Sequence, residues 1–236
     1  MPQAKEKLDW RCHGVSELAT DTNLWGKNLP QGIQVSKQTA VNNQNLGLFF
    51  CDPCASALYL NQSFSFLKRS REKFPLLTLN FSTSHNQKDT QLFDYFEHVM
   101  GSIVFAFMAI ESFANDEIPD DYQYLRISSK DGKSEKLGKD GMERIIPLDE
   151  KLDLILPEIL QKGSPKGTKN WEDYIGLKRL RHDIVHLKSL DRISSNPKEM
   201  YPDSIWAKLL SPTPLDYGLV AKNMILHFAH DKGYYW

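Results

Sequence analysis

From Asp89 onward the apolar side chains fall into a helical rhythm. Leu92, Phe96, Val99, Ile103, Phe107 and Ile110 recur at intervals of three and four, the spacing that lines one face of a helix. Asp89 or Thr90 is placed to cap the start, and Pro119 to end the run. "DDYQYLRISSKDGKSEKLGKDGMER", with two Asp-Gly pairs, breaks the rhythm and reads as an exposed excursion. "PLDEKLDLILPEILQKG" restores it, opened by Pro147, strained or split at Pro157 and stopped by Gly163. A third helix is expected after Asn170, a cap with Asp173 three residues on, and its apolar face is Tyr174, Leu177, Leu180, Ile184 and Leu187. Thr213, Pro214 and Asp216 open a last helix through "YGLVAKNMILHFAHDKG", with Gly233 as its stop.

The N-terminal third has no long period. "GIQVSKQTAVNNQNLGLFF" reads as extended chain or loop, and "LLTLNFS" (Leu76 to Ser82) alternates as a short strand would. Between them "DPCASALYLNQSFSFLKRSREKF" suits a helix with Pro53 in its first position. The pattern therefore predicts a mainly α protein: an antiparallel helical bundle over residues 87–236, preceded by a less regular extension over residues 1–86.

Composition narrows the function classes. With 236 residues, 41% of them hydrophobic, the chain can bury a core, and a net charge of −1 means that any contact with nucleic acid must come from a local patch. Cys12, Cys51 and Cys54 are too few for a disulfide framework and point to a reducing compartment. The first residues carry no apolar run of the secretory kind, and "VMGSIVFAFMAI" is shorter than a bilayer crossing, so a cytoplasmic protein without a membrane partner is expected.

The densest chemistry lies in "LKRLRHDIVHLK", Leu177 to Lys188, on the third helix. At about 100° per residue His182 and His186 share a side nearly opposite Leu177, Leu180 and Ile184, with Arg181 between those faces. Polar residues off an apolar stripe are usually a solvated face. Two histidines one turn apart beside an arginine are nonetheless a set able to move protons and to hold a phosphate. From Lys162 to Lys188 the cations Lys162, Lys166, Lys169, Lys178, Arg179, Arg181 and Lys188 exceed the acids Glu172, Asp173 and Asp183 by four charges, a modest attraction for a polyanion.

"RHDIVH", Arg181 to His186, resembles the arginine, four residues, histidine signature of the HEPN superfamily. "FAFMAIESFANDEIP" (Phe105 to Pro119), with its Ile-Glu-x-Phe and Asn pattern, is similar to the long upstream helix of many such proteins, and the likeness spans residues 89–232. His182 stands where the family usually has asparagine. The resemblance implies a metal-independent ribonuclease without a cofactor, of the kind found in toxin–antitoxin and phage-defence systems. It further implies Arg181 and His186 as catalytic residues, and a homodimer in which two motif helices meet over an RNA substrate. His182 and Asp183 would support them, and Lys178, Arg179 and Lys188 would contact RNA; Glu111 and Asn115, one turn apart on the long helix, are either a capped or hydrogen-bonded pair near its end or further support beside the catalytic helix. An antitoxin or another defence-system protein would be a further partner.

Other readings compete. A HEPN-like module that has lost cleavage would bind a nucleotide, RNA or protein. An HD-type metal phosphohydrolase would use His182 and Asp183 but needs another histidine a few tens of residues upstream, and none lies between His98 and His182. The zinc-protease motif fails because position 183 is Asp183 and not glutamate. The loop "GSPKGTKN" does not have the spacing of a phosphate-binding loop. Cys51 and Cys54 invite a second metal idea with Cys12 and His13, but one Cys-x-x-Cys is weak, and no strand-helix context of the thioredoxin kind is expected around it. His227 and His230 are expected only to decorate the last helix, and the terminal "GYYW" to pack on the bundle or a partner.

Overall fold

The structure is a computed structural model that describes residues 9–13, 16–24, 26–36, 38–43, 46–79, 85–127, 134–188, 204–210 and 215–229. The chain divides into two units, one from Met1–Leu58 with Ala229–Trp236 and a larger one from Tyr59–Phe228. Much of the helix expected within the N-terminal extension thus belongs to the larger unit.

In the smaller unit the polar, glycine-containing sequence makes short antiparallel ribbons. β1 (Ser16–Glu17) pairs with β4 (Gln34–Val35), β2 (Thr22–Leu24) with β3 (Lys27–Leu29), and β5 (Gln38–Asn43) with β6 (Leu46–Cys51), Gln38 lying opposite Cys51. The segment read as extended chain or loop is therefore mostly a hairpin. Gly26 and Gly32 adopt positive φ, a conformation that costs glycine little. Pro53, expected in the first helical position, instead forms an isolated bridge with Cys12 two residues before α1 (Ala55–Leu79) begins.

The larger unit is mainly helical. α1 runs antiparallel to α2 (His85–Asp116): Lys73 Nζ meets Asp94 Oδ2 at 2.7 Å near one end, and the Ser63 hydroxyl donates to the Ser102 carbonyl at 2.9 Å near the other. Phe66 lies over Gly101, where a Cβ would come within 3.1 Å of the ring. The strand expected at Leu76 is not formed. Helix α1 continues through Pro75 to Leu79, and the rest of "LLTLNFS" lies outside the described residues. Asp89 and Thr90, expected to cap α2, lie a turn inside it.

Val99, Ile103, Ala106, Ala109 and Ile110 of α2 are fully buried, each larger side chain contributing about 1.5–3 kcal/mol of burial. By length and composition Asp89–Asp116 could cross a bilayer, a longer apolar stretch than the short run quoted from the sequence, and half of its most apolar window is buried within the protein.

The polar excursion is a hairpin, β7 (Tyr124–Ile127) with β8 (Ser134–Leu137), followed by α3 (Lys139–Ile145). It is held down, since the Tyr124 hydroxyl donates to Glu150 Oε1 at 2.9 Å and Leu137 and Met142 are buried. Then come α4 (Leu148–Glu150), a π turn at Lys151–Ile155 and α5 (Leu156–Leu160) in one helical run. Pro157 has no N–H and its ring would strike the Asp153 carbonyl in a regular α-helix, so the wider π turn just before it absorbs the proline. The run ends on Gln161, left-handed at φ 51°, two residues before the expected Gly163.

α6 (Lys169–Val185), α7 (Ile205–Leu209) and α8 (Tyr217–Ala229) complete the chain. Asp216 caps α8, its Oδ1 accepting from the Leu219 N–H at 2.9 Å, as expected, whereas Thr213, Pro214, His230, Gly233 and "GYYW" lie outside the described residues.

Gly218, in the first turn of α8, permits its close approach to α1. A Cβ there would meet Phe64 Cδ1 and Cε1 at 2.7 Å. Gly218→Ala is expected to lower the unfolding free energy by about 1–3 kcal/mol through overpacking. The check is a urea midpoint that falls with an unchanged slope; an unmoved midpoint would show that Phe64 yields freely.

Candidate functional site

Helix α6 starts on Thr168, not on Asn170. The Thr168 Oγ1 accepts from the Trp171 N–H at 3.4 Å, and Gly167 at φ 81° turns the chain into it. Asn170 is consequently in the first turn. Tyr174 and Leu177 are fully buried and Ile184 nearly so, as the apolar stripe requires, while Leu180 is only half-buried.

The buried stripe fixes how the motif is presented. Arg181, half-buried, sets its guanidinium carbon 5.2 Å from the centroid of the buried Phe107 ring on α2, a cation–π contact of about 0.5–2 kcal/mol. His182 and His186 are exposed on the other side, their ring centroids 4.7 Å apart. His186 is the residue at which the helix ends: its N–H still donates to the His182 carbonyl at 2.9 Å, but its own backbone has left the helical region at φ −120° and ψ 63°. No hydrogen bond or ring contact among the described residues joins Arg181 to His186.

The other expected site residues divide between two places. Asp183 lies between Lys188 and Lys208 of α7, each 3.4 Å from a carboxylate oxygen. Lys178 pairs with Asp149 at the start of α4, and Arg179 is exposed. Of the expected RNA-contacting cations, two are thus held by acids. The basic run before them is also compensated, since Lys166 meets Asp153 at 2.9 Å and Lys169 meets Asp173 at 2.8 Å. The excess of four charges counted along the sequence is therefore partly neutralised by acids of α4 and the π turn that lie outside the counted stretch.

Glu111 and Asn115 do not stand beside the histidines. They face Lys151, whose residue is only 2% exposed, in the π turn. Its Nζ donates to Asn115 Oδ1 at 2.7 Å and to the Glu143 carbonyl at 3.2 Å. Burial pushes the Lys151 ammonium below its ordinary value, and the Glu111 and Glu143 charges oppose that shift. Tyr174, whose hydroxyl donates to Asp149, is raised by burial first, then by that carboxylate and by Glu111. A polar network of α2, α4 and α6 thus lies beneath the motif helix. Sequence reasoning missed it, although one signal was present: Lys151 occupies an apolar phase with Leu148, Leu152 and Ile155, all buried.

One concavity among the described residues lies elsewhere. A groove of about 570 Å³ between α2 and α7 is lined by Leu92, Phe93, Phe96, Met100, Trp206 and Leu210, a largely apolar surface with no proton carrier except Glu97 at its edge. Among the described residues no group of three or more His, Cys, Asp or Glu side chains is placed to hold a metal ion. His227 Nε2 donates to the Gly163 carbonyl at 2.8 Å, tying α8 to the loop before α6.

The depressed Lys151 gives a pH signature of known sign. Between its lowered folded value and 10.5, the unfolded chain binds a proton that the folded chain does not, so stability rises with pH through that window and levels off above it. The difference in unfolding free energy between wild type and Lys151→Met, measured by urea at a series of alkaline pH values, is expected to move in favour of wild type; the tyrosines, common to both, largely cancel. A flat difference would mean that the lysine is not desolvated.

No protein-family model matches the chain, and no curated protein or solved structure matches it, so the reading of this site rests on its own residues and geometry.

Proposed function

We propose that the chain is a metal-independent endoribonuclease of the HEPN type, its helical unit a HEPN-like antiparallel bundle that acts as a homodimer in a toxin–antitoxin or antiviral defence setting. The observation that carries the reading is the end of α6: His182 and His186 are exposed with rings 4.7 Å apart on one side, and Arg181 is fixed on the other, 5.2 Å from the Phe107 ring centroid. RNA brings its own nucleophile. A histidine that takes the 2′-hydroxyl proton and an arginine that stabilises the charge developing on phosphorus supply what the step needs. His186 has the first role and Arg181 the second. On one helix they point about 140° apart, so the second copy's motif helix, packed against the first, completes the site.

A binding module that has lost cleavage is favoured by one observation. Lys178 and Lys188, which would hold RNA, are already paired with Asp149 and Asp183.

The two readings part on activity. RNA is expected to be cut in EDTA, leaving 2′,3′-cyclic phosphate ends, while DNA and 2′-O-methylated RNA resist. His186→Ala and Arg181→Ala are each expected to lower the rate by about 10²-fold or more, with the dimer retained by light scattering. An intact dimer that cuts no RNA supports the module; cleavage that needs Mn²⁺ or Zn²⁺ supports a metal site at His182 and Asp183.

His182→Asn is expected to keep activity, since asparagine is the usual residue of the resembling family. Loss of single-turnover cleavage in this variant would make His182 a second proton carrier.

A further inference from the structure

The three cysteines are drawn into one corner of the smaller unit. Cys12 bridges Pro53, the His13 N–H donates to the Asp52 carbonyl at 2.6 Å, and the Cys54 N–H donates to the Arg11 carbonyl at 2.8 Å. The segment around Cys12 therefore runs alongside "CDPC". The chain around that motif also differs from expectation, because β6 ends at Cys51 and α1 starts at Ala55, a strand-to-helix passage.

The sequence spacing suggests Cys51 with Cys54 as the natural pair, and the geometry selects a different one. The Cys54 sulfur is buried, 3.1 Å from the Ser56 hydroxyl. The Cys51 sulfur, half-buried at the end of its strand, accepts from Gln38 Nε2 at 3.3 Å, and the bridge of Cys12 to Pro53 sets Cys12 beside the chain two residues on from Cys51. We propose that Cys12 and Cys51 are an oxidisable thiol pair, in which a hydroperoxide converts Cys51 to a sulfenic acid and Cys12 closes the disulfide.

The neighbours give the two sulfurs different tasks. Hydrogen bonds from Ser36, Gln38 and Cys12 favour the thiolate of Cys51 and lower it, whereas burial, then the Cys51 charge, raises Cys12 and keeps its proton. The Asp9–Arg11 ion pair stands next to them, Asp9 adding to the rise of Cys12 and Arg11 opposing it. In the first step the Cys51 thiolate attacks the peroxide: a sulfur–oxygen bond forms, the oxygen–oxygen bond breaks, sulfur is oxidised, and the other oxygen leaves as alkoxide or hydroxide and takes up a proton. In the second, the Cys12 sulfur displaces the sulfenic oxygen as water, and two thiols have given two electrons and two protons to the peroxide. The disulfide would close a loop of about 40 residues across a unit made of short ribbons, the case in which a cross-link constrains the unfolded chain most.

The test uses the reduced full-length chain. With limiting iodoacetamide, Cys51 is expected to label several-fold faster than Cys12. With stoichiometric hydrogen peroxide the intact mass should fall by two hydrogens, and a non-reducing peptide map should join the Cys12 and Cys51 peptides. Cys54→Ser should leave that product unchanged. Cys12→Ser should abolish it and let dimedone trap a sulfenic acid at Cys51. A Cys51–Cys54 link, over-oxidation of Cys51 in wild type without a disulfide, or stoichiometric Zn²⁺ held by both thiols would each overturn the proposal. Because the map is made on wild type, a variant that fails to fold does not spare it.

Discussion

Phe107 is the contact on which the presentation of α6 depends. Its ring stacks on Tyr174 with centroids 6.4 Å apart and planes 14° off parallel, and it also lies beneath Arg181. One α2 side chain therefore holds α6 at two points two turns apart, which fixes both rotation and register. Tyr174 extends the constraint by donating to Asp149, and Asp149 also holds Lys178. Two residues on, Lys151 returns to α2 at Asn115. The circuit closes through α2, α4 and α6, and what it leaves pointing outward is the end of α6 with its histidines.

The circuit contains a charge at a price that packing must offset. An ammonium with 2% exposure is costly to bury, and its partners are a neutral amide and a backbone carbonyl, with Glu111 and Glu143 acting only through their fields. Such an arrangement is intolerant of change: removing Asn115 would leave the ammonium short of an acceptor, and lengthening the π turn would withdraw it from α2. The π turn itself follows from Pro157, so a proline at one end of the run helps to set which way the lysine points several residues earlier.

The helices were legible where burial writes a period into the chain. Tyr174, Leu177 and Ile184 lie inside because their spacing left no other face for α6, and the same holds for α2. Ends were less legible. Thr168 caps in place of Asn170 and Gln161 turns in place of Gly163, since two adjacent sequences could each satisfy the same orphan backbone groups and tertiary contacts chose between them. The strand at Leu76 failed for a related reason: a short alternating run is compatible with a helix that has already begun. Pairings across long separations were not legible at all. Nothing in the spacing of "GSPKGTKN" says that Lys166 will find Asp153, nor does any local pattern say that Cys12 will bridge Pro53.

This distinction bears on how the motif residues should be weighed. Arg181 is anchored by the core, and its guanidinium would lose the Phe107 face if it swung outward to a ligand. His186 stands where the helix has released the chain, its ring exposed and 4.7 Å from that of His182. In the proposed reaction such a division is useful: the group that stabilises charge must be in place before charge develops, whereas the group that moves a proton must follow it between two oxygens. The sequence puts four residues between them; the fold gives one to the rigid interior and the other to the helix end. A phosphate would therefore be located by the arginine and worked upon by the histidine, and the required convergence of the two must come from a second surface brought against α6, because the core that holds Arg181 also prevents α6 from turning it toward its own histidine.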